Sequence, residues 1–142
     1  MRLEDFYENV FQAFKNYIKN NSSYGDIVEK SSTNTSPRFP IISCELSNNI
    51  DTNRATIDKI EYYEAFYFTI NIYTKDKVIN GQTIASKVIN DELSNLTTQF
   101  FNNLNMKKTL NKPTPNLDTS ILRKTIQYQC YVGNARLNII RR

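Results

Sequence analysis

The chain of 142 residues contains no histidine, no tryptophan, three glycines, four prolines and two cysteines. Each shortage removes a class of chemistry. Without histidine, no Ser-His or Cys-His nucleophile pair can be assembled. Two thiols alone do not make a zinc site. Three glycines are too few for a loop that cradles phosphate, and neither GxxxxGK[ST] nor GxGxxG occurs. No apolar run approaches the length of about 18 residues that a membrane-spanning helix needs. The opening MRLEDFYENV carries acids where a secretory signal needs a basic start and an apolar centre. These features lead to the expectation of a soluble chain made in a cytoplasm. In that compartment Cys44 and Cys130, each on the apolar side of an alternating segment, are expected to be buried free thiols rather than a disulfide.

The remaining candidates for catalysis are carboxylate pairs, Asp91–Glu92 and Glu61 with Glu64. Neighbouring acids of this kind usually form a solvated face, and nothing around them marks a pocket. Neither an enzymatic activity nor a cofactor is expected.

What the chain does have is aromatic side chains, nine Tyr and eight Phe, or 12% of the residues. That is enough ring volume to fill the core of one domain spanning 1–142. The first 20 residues read as a helix: Leu3, Phe6, Tyr7, Val10, Phe11, Phe14 and Ile18 recur at steps of three and four. Residues 21–38 are polar and read as a connection. Segment 39–46 alternates as a strand, and 47–58 is a polar loop. The strongest strand signal is 61–74, EYYEAFYFTINIYT. Phe66, Phe68, Ile70 and Ile72 share its apolar face, while Tyr63, Tyr67 and Tyr73 share a polar-tipped one. KDKVING reads as a short turn into a second helix over 82–103, with Ile84, Ala85, Val88, Ile89, Leu93, Leu96 and Phe100 as its stripe. NLNMKKTL reads as a short strand, KPTPN as an extended loop, 121–132 as a strand and RLNIIRR as a short returning strand. The expected fold is α+β: a mainly antiparallel sheet of four or five strands packed by two helices, in the order α-β-β-α-β-β.

Charge is unevenly spread. Residues 1–106 hold 10 basic and 13 acidic side chains, whereas residues 107–142 hold eight basic ones against Asp118 alone. A basic end of this kind suits nucleic acid, an acidic protein partner or plain solvation, and the charge by itself does not choose among them.

Taken in order, RFPIISCEL, YEAFYFTINIYTKD, a helix, KPTPNLDTSILRKTIQYQC and a terminal NIIRR resemble the small tail terminator or tail-completion proteins of tailed bacteriophages. The likeness spans roughly residues 38–142. Its most specific part is the PTPN loop followed by SILRKTIQYQC, in which Arg123 matches a basic position and Gln127 stands where a second basic residue is common. The resemblance implies a structural virion protein, assembled in the host cytoplasm, that forms a hexameric ring. Such a ring caps the head-proximal end of the tail tube and joins it to the head connector, with DNA only passing through its channel and no membrane involved. Arg123, Lys124, Arg136, Arg141, Arg142, Tyr63 and Tyr67 are then the candidate contact residues, with the 47–58 loop as a second candidate surface. Two alternatives stand beside this reading. One is a head-completion or adaptor ring of the neck, and the other is a DNA-binding accessory protein using the basic C-terminal region.

Overall fold

The computed structural model describes residues 3–30, 39–48, 54–55, 62–115, 119–133 and 139–140, with side chains described for 6–30, 39–47, 66–115 and 119–130. The first element is helix α1, Leu3–Asn21. Of its apolar stripe, Phe6, Val10, Phe11, Phe14 and Ile18 are buried. The 3.6-residue period puts all five on one side, so the helix stabilises itself by packing that side on a sheet.

The sheet is ordered β1-β2-β4-β8-β7. Its strands are β1 (Val28–Glu29), β2 (Ile41–Asn48), β4 (Tyr62–Thr74), β7 (Lys107–Thr114) and β8 (Leu122–Gly133). Two further pieces are added at one end: β3 (Arg54–Ala55) pairs with β4, and β9 (Ile139–Ile140) pairs with β8. All pairings are antiparallel except β1 with β2, which is parallel, so the sheet is mixed. The α+β class, the two helices and the mainly antiparallel five-strand path agree with the sequence reading, and the strand order α-β-β-α-β-β does not. Two-residue strands such as β1 are too short to show any alternation, so the sequence pattern cannot reveal them.

A second correction concerns residues 77–84. These form a separate hairpin, β5 (Lys77–Ile79) with β6 (Gln82–Ile84), where a turn and the start of a helix were expected. Its turn residues Asn80 and Gly81 have φ of 52° and 80°. A two-residue hairpin turn of type I′ needs positive φ at both positions, and Asn-Gly is the pair that supplies it at least cost. Helix α2 therefore begins at Ser86 and ends at Asn103. Ala85 offers no side-chain cap, and Asp76 replaces it by accepting the Ser86 N–H at 2.7 Å.

The face that α2 buries is also rotated from the expected one. Val88 is 58% exposed, while Asn90, Ser94 and Thr97 are buried beside Ile89, Leu93, Phe100 and Phe101. Those polar groups are satisfied internally: Asn90 Nδ2 donates to the Ile72 carbonyl at 3.2 Å, Ser94 Oγ to Asn90 Oδ1 at 3.3 Å and Thr97 Oγ1 to the Leu93 carbonyl at 2.8 Å. A hydrogen-bonded polar side chain can be buried at small net cost, which is why apolarity alone misplaces this stripe.

The core lies between the two helices and one face of the sheet. Phe66, Phe68, Ile70 and Ile72 of β4, Ile42 and Cys44 of β2, and Ile126, Tyr128 and Cys130 of β8 all point into it. Phe101 stacks on Tyr128 with centroids 4.8 Å apart and meets Phe14 at 5.1 Å and Phe68 at 5.7 Å. Among the described residues no helix is long and apolar enough to cross a membrane.

Candidate interface on the second sheet face

A strand sends alternate side chains to opposite faces, so filling one face with core residues fixes the composition of the other. That second face is partly covered, since Ile41, Ser43 and Asn71 on it are buried. On β4 it presents Tyr67, Thr69, Asn71 and Tyr73, and on β8 Arg123, Thr125, Gln127 and Gln129. The register pairs Tyr73 with Arg123, Asn71 with Thr125, Thr69 with Gln127 and Tyr67 with Gln129.

Each of these four pairs is also a contact between side chains. The Arg123 guanidinium lies 5.3 Å from the Tyr73 ring centroid. Thr125 Oγ1 donates to Asn71 Oδ1 at 2.7 Å, Gln127 Nε2 to Thr69 Oγ1 at 3.4 Å and Gln129 Nε2 to the Tyr67 hydroxyl oxygen at 3.1 Å. Arg123 Nε also donates to Asn71 Oδ1, at 3.1 Å. The ladder continues onto β7. Thr109 Oγ1 lies 3.1 Å from Gln127 Oε1, and Thr114 Oγ1 lies 2.5 Å from Thr125 Oγ1. Because the one hydroxyl proton of Thr125 is committed to Asn71, Thr114 is the donor in the last pair. Cross-strand pairs of this kind stabilise by roughly 0.2–1 kcal/mol each. Their larger effect is to hold long polar side chains in one arrangement before any partner arrives.

The candidate residues are thereby sorted. Arg123 and Tyr67 belong to the ladder. Tyr63 lies in β4 in register with Gly133 and Arg54, and its side chain is outside the described ones. Lys124 does not join Arg123: it is half-buried, in register with Ile72 and Pro113, and consecutive residues of a strand face opposite ways. Arg136, Arg141 and Arg142 lie outside the described residues, as does most of the 47–58 loop. The residues that sequence reasoning missed are Asn71, Thr125, Gln127 and Gln129. Their signal is the regular recurrence of hydrogen-bonding side chains at every second position of two strands.

The sheet has two outer edges. At one, β7 carries Lys107 and Lys112, both exposed, and Pro113. Residues 112–114 therefore end an edge strand, where KPTPN was expected to be an extended loop, and a sheet edge is where proline is tolerated. At the other, α1 and β1 bound a groove of about 470 Å³ lined by Glu8, Phe11, Lys15, Asp26, Glu29 and Lys30. Lys30 Nζ sits 2.5 Å from Glu8, and Gln12 donates to the same side chain at 3.1 Å. Those two hydrogen bonds, that of Lys30 first, hold the Glu8 carboxyl below its usual range. A second groove, of about 730 Å³, lies at the end of the sheet between Lys75, Lys87, Ser120 and Leu122. The α2 terminus beside it is already satisfied by Asp76.

Of the carboxylates considered for catalysis, Asp91 is exposed and Glu92 accepts a 3.4 Å hydrogen bond from the Tyr24 hydroxyl. Burial and then Glu92 raise the Tyr24 hydroxyl above its ordinary value. Among the described residues, no three or more of Cys, Asp and Glu cluster closely enough to hold a metal ion. No protein-family model, curated protein or solved structure matches the chain.

Proposed function

We propose that this chain is a structural assembly subunit, a ring-forming tail terminator that closes the head-proximal end of a phage tail tube and offers its other side to the head connector. The observation that carries the reading is the second sheet face. Across β4, β8 and β7 it presents Tyr, Thr and Gln side chains together with Asn71 and Arg123, and these are already locked to one another. Tyr and Arg, held rigid, are the residue types that dominate protein–protein contacts, because little conformational entropy remains to be lost on docking. The resemblance of RFPIISCEL, YEAFYFTINIYTKD and KPTPNLDTSILRKTIQYQC to tail terminators supplies the particular assembly. In this reading the product is a geometry, not a reaction.

The test is native mass spectrometry of the purified protein, alone and with its tail tube protein. A closed ring, hexameric in this reading, in solution or on tube ends is the expected result. A neck adaptor would instead form rings that bind the head connector and ignore tubes. A chain that stays monomeric with tubes but binds DNA, with affinity falling steeply as salt rises, would replace the assembly reading with the accessory-protein one.

A further inference from the structure

The second face carries its positive charge in a line. Arg123 of β8 is in register with Tyr73 on one side and with Thr114 on the other. Lys75 follows Tyr73 by two residues, and Lys112 precedes Thr114 by two. Register partners, and residues two apart on a strand, share a face, so the three cations form a diagonal across β4, β8 and β7. The step from Arg123 to Lys112 is one strand across and two residues along, about 8 Å by strand geometry. Lys75 stands off from Arg123 by the same count on the other side.

Two of the three are held by aromatic rings. Lys75 Nζ lies 5.1 Å from the Phe39 centroid, and the Arg123 guanidinium 5.3 Å from that of Tyr73. Lys112 is exposed at the edge of the sheet. The described side chains of β4, β7 and β8 include no acid. Glu45 belongs to β2, in register with Thr69, on the side of β4 away from β8. Lys75 also lines the groove of about 730 Å³ together with Lys87, and the one acid there, Asp76, already accepts the Ser86 N–H.

We propose that this row binds an extended single strand of nucleic acid. Lys75, Arg123 and Lys112 hold its phosphates, and its bases face the Arg123–Tyr73 pair and the amides of Gln127 and Gln129. The contact goes beyond the ring reading and stands without it.

Three observations favour a nucleic acid strand over an acidic protein segment. The cations are strung out in steps, which matches a polymer bearing one charge per unit. Planar groups lie among them, and bases stack on aromatic rings and on guanidinium planes. The amides of Gln127 and Gln129 offer both donors and acceptors, as base edges do, whereas a carboxylate only accepts. Burial at Ile41 and Ser43 covers the β2 side of the face and leaves the β8–β7 half, where the row runs, as the place for such a strand.

The experiment is fluorescence anisotropy of a labelled oligothymidylate over a series of salt concentrations, with circular dichroism to confirm folding. It compares the wild type, Lys75→Gln/Arg123→Gln/Lys112→Gln, Lys112→Gln alone and, as a control of equal charge change on α1, Lys19→Gln. The wild type is expected to bind, with affinity falling as salt rises. The three-site variant should bind at least about tenfold more weakly and flatten the slope of log affinity against log salt by about 2, since each phosphate contact on a single strand contributes about 0.7. Lys112→Gln should flatten it by about 0.7 and decides the matter if the three-site variant does not fold. Lys19→Gln should leave both quantities unchanged. Absence of binding at low salt, or equal binding by the wild type and the row variants, would overturn the proposal. Tighter binding of a duplex would overturn the single-strand contact, and competition by polyglutamate as effective as by unlabelled oligothymidylate would replace it with an acidic protein partner. Rings that ignore the oligothymidylate would overturn the strand contact and leave the ring reading standing, while binding by a chain that forms no ring would do the reverse.

Discussion

The two faces of this sheet are made from the same strands, and they are held by different physics. On the helix side β4 and β8 contribute Phe66, Phe68, Ile70, Ile72, Ile126 and Tyr128, all buried, and the contacts are ring on ring and methyl on ring. On the other side the same strands contribute Tyr67, Thr69, Asn71, Tyr73, Arg123, Thr125, Gln127 and Gln129, linked by directional hydrogen bonds and one cation–π contact. Removing apolar area from water scales with area and is what holds the domain together. A hydrogen bond nets only about 0.5–1.5 kcal/mol, because each partner gives up water to make it. The second face therefore adds little to folding for the order it imposes. In the assembly reading proposed above, that fixed order serves a contact with a partner.

The largest effect follows from breaking the first face. Phe101 is fully buried between Phe14, Phe68, Phe100 and Tyr128. Phe101→Ala is expected to cost about 3–5 kcal/mol in denaturant unfolding, the transfer term plus the cavity left by a ring. A loss under about 1 kcal/mol would mean that the helices do not close on the sheet as described.

Asn71→Ala tests the second face and should cost less, about 1–3 kcal/mol, because it removes the acceptor shared by Arg123 Nε and Thr125 Oγ1. Asn71 is only 6% exposed, so water cannot fully replace the lost oxygen. The same variant releases Arg123 from its fixed position. Under the proposed ring reading it should therefore weaken association by more than its stability loss explains, and proportionate losses in the two measurements would mean that the ladder only supports the fold.

These contrasts also explain what could be read from the sequence. Amphipathic periods announced α1 and the long strands β4 and β8, because one buried face forces apolar residues to recur at 3.6 or 2. The apolar stripe of α2 was misplaced at Val88 because Asn90, Ser94 and Thr97 are buried with their hydrogen bonds internal, a fact of tertiary pairing. The Asn80–Gly81 hairpin was legible in principle from its turn chemistry. The ladder was half legible. Alternation separates Tyr67 and Arg123 from the core, but only the register shows that Arg123 meets Tyr73 and Asn71, and that Lys124 does not accompany it.

The smallest expected effect at neutral pH concerns the two thiols, both free, buried and on the helix side. Cys44 is in register with Ile70 on one flank of β4, and Cys130 with Phe66 on the other. Two strand spacings and four residues lie between them, well beyond the reach of a disulfide. Burial pushes each thiol from an ordinary 9.0 up to about 12, with Glu45 adding to the effect at Cys44. The proton is thus held more tightly in the folded state than in the unfolded one. This contribution to stability is complete below pH 9.0 and declines as pH rises towards about 12, where the folded thiols ionise too. Tyr7, whose hydroxyl donates to the Cys44 carbonyl at 2.7 Å, is also raised by burial and then by Cys44, and shares the alkaline side of that window. Neither thiol should react with a thiol reagent at pH 8 until denaturant unfolds the chain, and Cys44→Ala with Cys130→Ala should flatten part of the alkaline decline in unfolding midpoint. Rapid labelling of Cys130 in the folded protein would show that the core face opens at the end of β8, and the contrast between the two faces would then hold only over the middle of the sheet.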